Sequence, residues 1–270
     1  MPRHGGNMTV FVMADLEGIS GVYTRDQVLP SLPRFNEGRK FLTRDINVCA
    51  EALKAAGVDK VYVRDCHGGS YALLWDEVCD SVDEVISGSL HDVRFPFIEE
   101  CDAVILLGYH AMAGTHQALL EHTFSSMSVQ NYHLNGEEVG EIAIDAAILG
   151  EHNTPVIMVS GDTKACEEAK RFLPWVTTAE VKRSLHCMGA SLLPPHKAKE
   201  CIFAAVKEAV ENFKAGKCEL YKVASPIRLR VEVTERTQLP LVSRQPYIKI
   251  IDGRTFEVDA ESVEQAIYRV

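Results

Sequence analysis

The sequence predicts an α/β fold, with a mostly parallel sheet carrying helices on both faces and a smaller C-terminal α+β subdomain. Three observations predict it. Residues 8–14, 103–108 and 155–160 are continuous apolar runs, the pattern of parallel strands covered on both faces. Between the first of these and a further strand over residues 60–64, Phe41, Leu42, Ile46, Cys49, Ala50 and Leu53 recur at helical spacing. Strand, helix and strand in that order make a parallel crossover. After Pro194-Pro195 the pattern changes: Ile227, Leu229, Val231 and Val233 alternate with polar residues, as in a strand with one wet face.

The remaining elements follow in chain order. The helix over residues 36–56 is closed by Gly57. Residues 23–34 are polar and contain prolines, and read as a loop. Asn135-Gly136 is a hairpin signal between 132–134 and 137–139, and a helix over 140–149 ends at Gly150. The strand over 155–160 turns through Gly161-Asp162 into a helix over 164–172, with Asp162 in a capping role. Ile202, Phe203, Val206, Val210 and Phe213 form one face of a helix over 196–214. Asp252-Gly253 marks a second hairpin between 247–251 and 255–258. The change of pattern places a boundary near residue 190, dividing an α/β domain over 1–190 from a subdomain over 191–270.

Composition narrows the function classes. The 270 residues include 46% hydrophobic and 24% charged, enough apolar surface for a sizeable core without disulfides. The net charge of −10 argues against a nucleic-acid or anionic-membrane surface and leaves cations and small or peptide substrates. Eight cysteines contain no C-x-x-C pair, which disfavours a thiolate zinc knuckle and suits a reducing, cytoplasmic compartment. The polar N-terminal residues 1–7 have no apolar signal core, and no segment approaches the ~20 apolar residues of a membrane span.

Three apolar strands run directly into metal-type donors. The first ends in Asp15-Leu16-Glu17, the second in Asp65-Cys66-His67, and the third in Gly108-Tyr109-His110. In open parallel sheets, ligands bind outside the carboxyl ends of the strands. Side chains at i and i+2 of an extended segment share a side, so Asp15 can converge with Glu17, and Asp65 with His67. Carboxylates mixed with imidazoles suit zinc, or manganese where oxygen dominates. One catalytic zinc takes three protein ligands, and the surplus here favours two ions ~3.5–4 Å apart. Glu141, which opens a helix, and His122 are further candidates; a histidine there can donate to an oxyanion or shuttle a proton. Taken singly, each of these residues reads as a turn, cap or surface residue; their coincidence at three strand ends carries the argument. Cys66 is weak as a nucleophile, and neither a G-x-S-x-G elbow nor a P-loop is present.

These motifs resemble a known family. Residues 13–21 (Met-Ala-Asp-Leu-Glu-Gly-Ile-Ser-Gly) are similar to the N-terminal motif of the D-aminopeptidases of dipeptide-transport operons. Asp65-Cys66-His67 resembles that family's Asp-x-His segment, Gly108-Tyr109-His110 its Gly-Tyr-His motif, and Val139-Gly140-Glu141 its Val-Gly-Glu motif. Residues 155–162 and 176–182 also resemble family segments. The resemblance implies a binuclear zinc aminopeptidase acting on short peptides with an N-terminal D-amino acid. By motif, Asp15, Glu17, His67, His110 and Glu141 would hold two Zn²⁺ ions per subunit, Asp15 bridging them, and His122 would fall on the catalytic histidine. It further implies a homo-oligomer, a decamer of stacked rings around an internal chamber. Residues 112–121 depart from the family pattern. Residues 25–34 match none of its motifs and, following the first metal motif, can shape the substrate pocket. Another binuclear metallohydrolase, such as an amidase or phosphoesterase, or a non-catalytic metal- or peptide-binding protein, is the alternative on the same scaffold.

Overall fold

A computed structural model describes residues 6–90, 93–241 and 245–270. Residues 1–5 of the polar N-terminal segment lie outside the described residues. The main sheet has seven strands in the order β3-β2-β1-β4-β7-β8-β9. These are β1 (Thr9–Ala14), β2 (Lys60–Asp65), β3 (Glu84–Ile86), β4 (Ala103–Tyr109), β7 (Val156–Asp162), β8 (Thr177–His186) and β9 (Gly189–Leu192). All neighbouring pairs are parallel except β8 with β9. The fold is thus α/β with a mostly parallel sheet, as the apolar runs predict.

The alternation within β1 explains why residues 10–14 carry no polar side chain. Val10, Val12 and Ala14 face one core, which is covered by helices α1 (Phe35–Ala55) and α4 (Pro195–Lys214). Phe11 and Met13 face the other core, which is covered by α2 (Glu141–Glu151) and α3 (Thr163–Phe172). Each fully buried Val, Leu, Ile or Phe contributes about 1.5–3 kcal/mol. A one-residue slip of β1 would exchange every side chain between the two cores, so its register is tightly specified.

A second, five-stranded antiparallel sheet has the order β11-β12-β10-β5-β6. Its C-terminal strands are β10 (Ile227–Val233), β11 (Ile248–Ile250) and β12 (Thr255–Ala260), joined by the short helix α5 (Val263–Tyr268). The hairpin at Asn135-Gly136 supplies the other two, β5 (Val129–Leu134) and β6 (Glu137–Val139), with Leu229 paired opposite Leu134. Inward residues of this sheet, such as Tyr132, Leu229, Val231 and Val258, share a core with α2. Wedged between the two sheets, α2 is buried from Glu141 to Gly150. That is why, apart from Glu141 and Asp145, its buried residues are apolar or glycine all round rather than along one stripe. Strands from both sides of residue 190 therefore pair in one sheet, and α4 from beyond residue 190 packs on α1 and β8.

The carboxyl ends of β2, β1 and β4 lie side by side, and the segment that follows β1 is bonded to the last residues of β4. The Asp15 amide donates to Leu107 O (2.8 Å) and the Gly18 amide to Gly108 O (2.7 Å). A side chain cannot fit at this crossing: a Cβ on Gly18 would lie 1.9 Å from the Tyr109 carbonyl oxygen. Gly108 adopts φ +73°, which a β-carbon would strain, and its register break turns the end of β4 toward β1.

Gly18→Ala should therefore cost about 3 kcal/mol, as overpacking against backbone does, whereas Gly253→Ala, with open space around it, should change stability by less than about 0.5 kcal/mol. Urea unfolding of both variants checks this; equal small losses would contradict the crowding.

Candidate metal centre

Six of the residues singled out in the sequence meet at the carboxyl edge of the main sheet. Asp15 and Glu17, two residues apart beyond β1, are both buried. His67, from the loop after β2, places Nδ1 3.2 Å from Asp15 Oδ1 and 3.0 Å from Glu17 Oε2. His110, after β4, places Nε2 3.3 Å from Asp15 Oδ2 and 3.4 Å from Glu141 Oε1. Glu141 enters from the first turn of α2. His122 stacks on His110, with ring centroids 4.0 Å apart and planes at 14°, and its Nε2 lies 3.8 Å from Glu141 Oε1.

Asp65 behaves differently from the expectation that it converges with His67. Its Oδ1 accepts from the His67 amide (3.0 Å), and its Oδ2 accepts from the amides of Ala72 (2.5 Å) and Leu73 (3.1 Å). The carboxylate is spent on organising the loop that carries His67. Cys66 faces the Tyr109 hydroxyl at 3.9 Å, and burial pushes its thiol well above the ordinary range, so it is no thiolate nucleophile.

The imidazoles are oriented as metal ligands are. A ligating histidine commonly fixes its second nitrogen on a carbonyl or carboxylate. Here His110 Nδ1 is 3.0 Å from Ala111 O, His122 Nδ1 is 3.0 Å from Leu120 O, and His67 Nε2 is 2.7 Å from Val28 O. Each ring thus turns its other nitrogen toward the carboxylates. His110 Nε2 is buried, and its approaches to Asp15 and Glu141 are too poorly aligned to count as hydrogen bonds. A buried ring nitrogen without a partner, aimed between two carboxylates, fits a metal ion. Two overlapping sets of donors lie within 4.8 Å of one another: Asp15, Glu17 and His110, and His110, His122 and Glu141.

The electrostatics are those of an acidic pocket held together by its histidines. Burial alone would raise the Asp15 carboxyl, but His110 and His67 outweigh it and hold Asp15 well below the usual carboxylate range. Burial opposes protonation of His110 and His67, yet the carboxylates around them hold both imidazoles well above the ordinary histidine value.

Several supporting residues were not legible as such. Arg94 forks onto Asp145, with Nη2 2.7 Å from Oδ2, and reaches within 3.7 Å of Glu141 Oε2. Asp145 also accepts from the Tyr109 hydroxyl at 2.6 Å. Lys182 on β8 is fully buried beneath the first metal motif, donating to the carbonyls of Glu17 (2.5 Å), Ile19 (2.8 Å) and Val22 (2.7 Å). Burial pulls its pKa down to about 7. The sequence hides this role, because Lys182 follows Thr178 and Glu180 at the polar positions that alternate with Thr177, Ala179 and Val181. Glu168 of α3 accepts from the Met112 amide (2.7 Å), and a Cβ on Gly140 would lie 2.5 Å from its Oε1. It thereby braces the backbone beside both His110 and Glu141.

The centre opens into a cavity of about 580 Å³. Arg25, Val28 and Pro30 line it from one side, so the loop over residues 25–34 does shape the pocket. Ser125, Ser126 and Met188 line it elsewhere, Met188 from the turn between β8 and β9.

Carboxylates and imidazoles converging on a pocket at the carboxyl edge of a parallel sheet define the class of metal-dependent hydrolases. Comparison with known proteins makes the class particular. The chain matches the D-aminopeptidase family Peptidase M55 over residues 8–270, and it belongs to that family. It is 29% identical over 255 residues to a D-aminopeptidase of Bacillus subtilis (strain 168), covering 92% of this chain and 89% of the relative. It superposes with a TM-score of 0.91 and 26% identity on the Zn-dependent D-aminopeptidase DppA from Bacillus subtilis, described as a self-compartmentalizing protease, covering 97% of this chain and 95% of that one. The chain is accordingly a peptide hydrolase of the metal-dependent aminopeptidase type.

Burial pushes the Glu168 carboxyl from 4.5 up to about 7. A carboxyl raised on folding stabilises the fold fully below about 4.5, and that contribution is lost as pH rises through about 7. Glu168→Gln does not titrate, so its stability relative to the parent should rise by on the order of 2–3 kcal/mol between pH 5 and pH 8. Urea unfolding at the two pH values reads this, and a pH-independent difference would contradict it.

Proposed function

We propose that this chain is a binuclear zinc aminopeptidase that hydrolyses short peptides with an N-terminal D-amino acid. The observation that carries the reading is the buried His110 Nε2, which lies 3.3 Å from Asp15 Oδ2 and 3.4 Å from Glu141 Oε1 at the point where two donor sets overlap. Asp15, Glu17, His67, His110 and Glu141 are the proposed ligands. Asp15 is the proposed bridge, because its Oδ1 faces His67 while its Oδ2 faces His110. Two zinc ions bound there would polarise the scissile carbonyl and make a water acidic enough to attack it near neutral pH. The D-preference is carried over from the family, and zinc from the Bacillus subtilis structure.

The residues of this chain supply the rest. The acidic cluster receives the free α-amine of the substrate. His122 is the proposed catalytic residue. With Nδ1 directed to Leu120 O, the neutral ring offers Nε2 as a base. Once protonated, the ring stabilises the oxyanion and returns the proton to the departing amine. The loop around His122 holds it in place, since the Leu120 amide donates to Cys187 O (2.9 Å) and the Phe124 amide to Glu141 Oε1 (2.7 Å).

The remaining proposals concern setting. No helix among the described residues is long and apolar enough to cross a membrane, and a cytoplasmic location is proposed. A decameric, ring-stacked assembly is proposed too. The exposed Trp75, Met127 and Leu241 support it as apolar surface that contacts between subunits would cover.

Zinc-loaded protein should cleave the p-nitroanilide of D-alanine faster than that of L-alanine, and should leave p-nitrophenyl phosphate intact. His122→Ala should lower kcat about 10²- to 10⁴-fold with zinc content unchanged. Unchanged turnover in that variant would sink the role of His122, and phosphatase activity without anilide cleavage would sink the aminopeptidase reading.

A further inference from the structure

Among the described residues, two arginines line the cavity over the metal centre, Arg25 and Arg94. They differ in what already occupies them. Arg94 is half-buried, forks onto Asp145 and lies beside Glu141, so its charge is committed to the protein. Arg25 has no acidic partner among the described residues. Its guanidinium is exposed, and its one side-chain polar contact among them is the Met127 sulfur, at 3.7 Å.

The segment that carries Arg25 is anchored. Arg25 opens a 3-10 turn over Arg25–Gln27, and Gln27 is fully buried, accepting from the Tyr23 amide (2.9 Å) and donating to Gly21 O (3.1 Å). Three residues on, the Val28 carbonyl meets His67 Nε2 at 2.7 Å. A short rigid stretch thus ties Arg25 to the metal centre. The Met127 contact joins Arg25 to the segment that follows Ser125 and Ser126, and all three residues line the same cavity.

We propose that Arg25 binds the terminal carboxylate of the substrate, so that the pocket selects short peptides with a free C-terminus. The inference rests on the aminopeptidase reading, in which the α-amine sits at the Asp15–Glu17 end. A short peptide is a zwitterion. With its amine in the acidic cluster, its carboxylate needs a cation elsewhere in the same cavity, and among the described residues Arg25 is the lining arginine not already paired with a carboxylate. The planar guanidinium matches a carboxylate in two-pronged geometry, and serine hydroxyls of the same cavity can donate as well. A cavity of about 580 Å³ suits a ligand of two or three residues rather than an extended chain.

The test compares D-alanyl-D-alanine with its C-terminal amide as substrates of the zinc-loaded full chain. The parent should favour the free acid by about tenfold in kcat/KM, the size of one charge-assisted contact at a partly exposed site. Arg25→Ala should erase that preference by raising KM for the acid, with kcat for it little changed, and Arg25→Lys should restore part of it. No preference in the parent, or the same preference in Arg25→Ala, would overturn the proposal. Titrating the two compounds calorimetrically into zinc-loaded His122→Ala protein reads the same preference without turnover. Binding that favours the acid and depends on Arg25, in a chain that cleaves neither compound, would uphold the anchor while refuting the peptidase reading. Equal binding of the two would overturn the anchor alone.

Discussion

The site depends on how closely the ends of β1 and β4 approach each other. Where the Gly18 amide bonds to Gly108 O, two backbones cross with no room for a β-carbon between them. That crossing brings Asp15 and Glu17, which follow β1, against His110, which follows β4. His67 completes the row from the neighbouring β2, because the strand order sets β2, β1 and β4 side by side. Glu141 needs a separate device. It arrives on α2, which is held between the two sheets and braced by Glu168 through Met112 and by the packing of Gly140. The donor atoms are few, but the backbone that aims them spans both sheets.

Concentrating carboxylates in a buried pocket is unfavourable unless positive charge balances them. Two basic side chains lie beside the pocket. Arg94 neutralises Asp145 and faces Glu141, and Lys182 donates to three carbonyls of the segment after β1. Neither reaches the space between Asp15, Glu17 and Glu141. There the balance falls to His67 and His110, whose raised pKa values measure how strongly the carboxylates attract a positive charge. Divalent ions would satisfy the same demand, and would leave the imidazoles free to act as the proposed neutral ligands. The acidity of the pocket and its fit to metal have one cause.

Much of this was legible because the motifs sit where sequence patterns change. The apolar runs that end in Asp15, Asp65 and Tyr109 mark strand ends, and parallel strand ends share an edge; those two facts bring Asp15, Glu17, His67 and His110 together. The structure also brings His122 and Glu141 into the group, as the family resemblance implied. What stayed hidden depends on long-range pairing or on short elements. The hairpin at Asn135-Gly136 was clear, but its partner β10 lies nearly a hundred residues on, with Leu134 opposite Leu229. Strand β3 and helix α5 span 3 and 6 residues, too short for periodicity to speak. The β8–β9 turn has no Asn-Gly or Asp-Gly signature. Arg94 lies outside any helix or strand, and only the tertiary fold reveals that it faces Glu141. Asp65 read as able to converge with His67 because a loop-stapling aspartate looks like any other at a strand end.

The proposed binuclear centre requires two metal ions to share one set of ligands, with Asp15 and His110 in its middle. The most direct measurement is the zinc content of the purified, dialysed chain, determined by mass spectrometry of the metal and referenced to protein concentration. Close to two zinc ions per chain is the predicted result. A chain that keeps one ion, or none, under conditions where it is fully folded would contradict it.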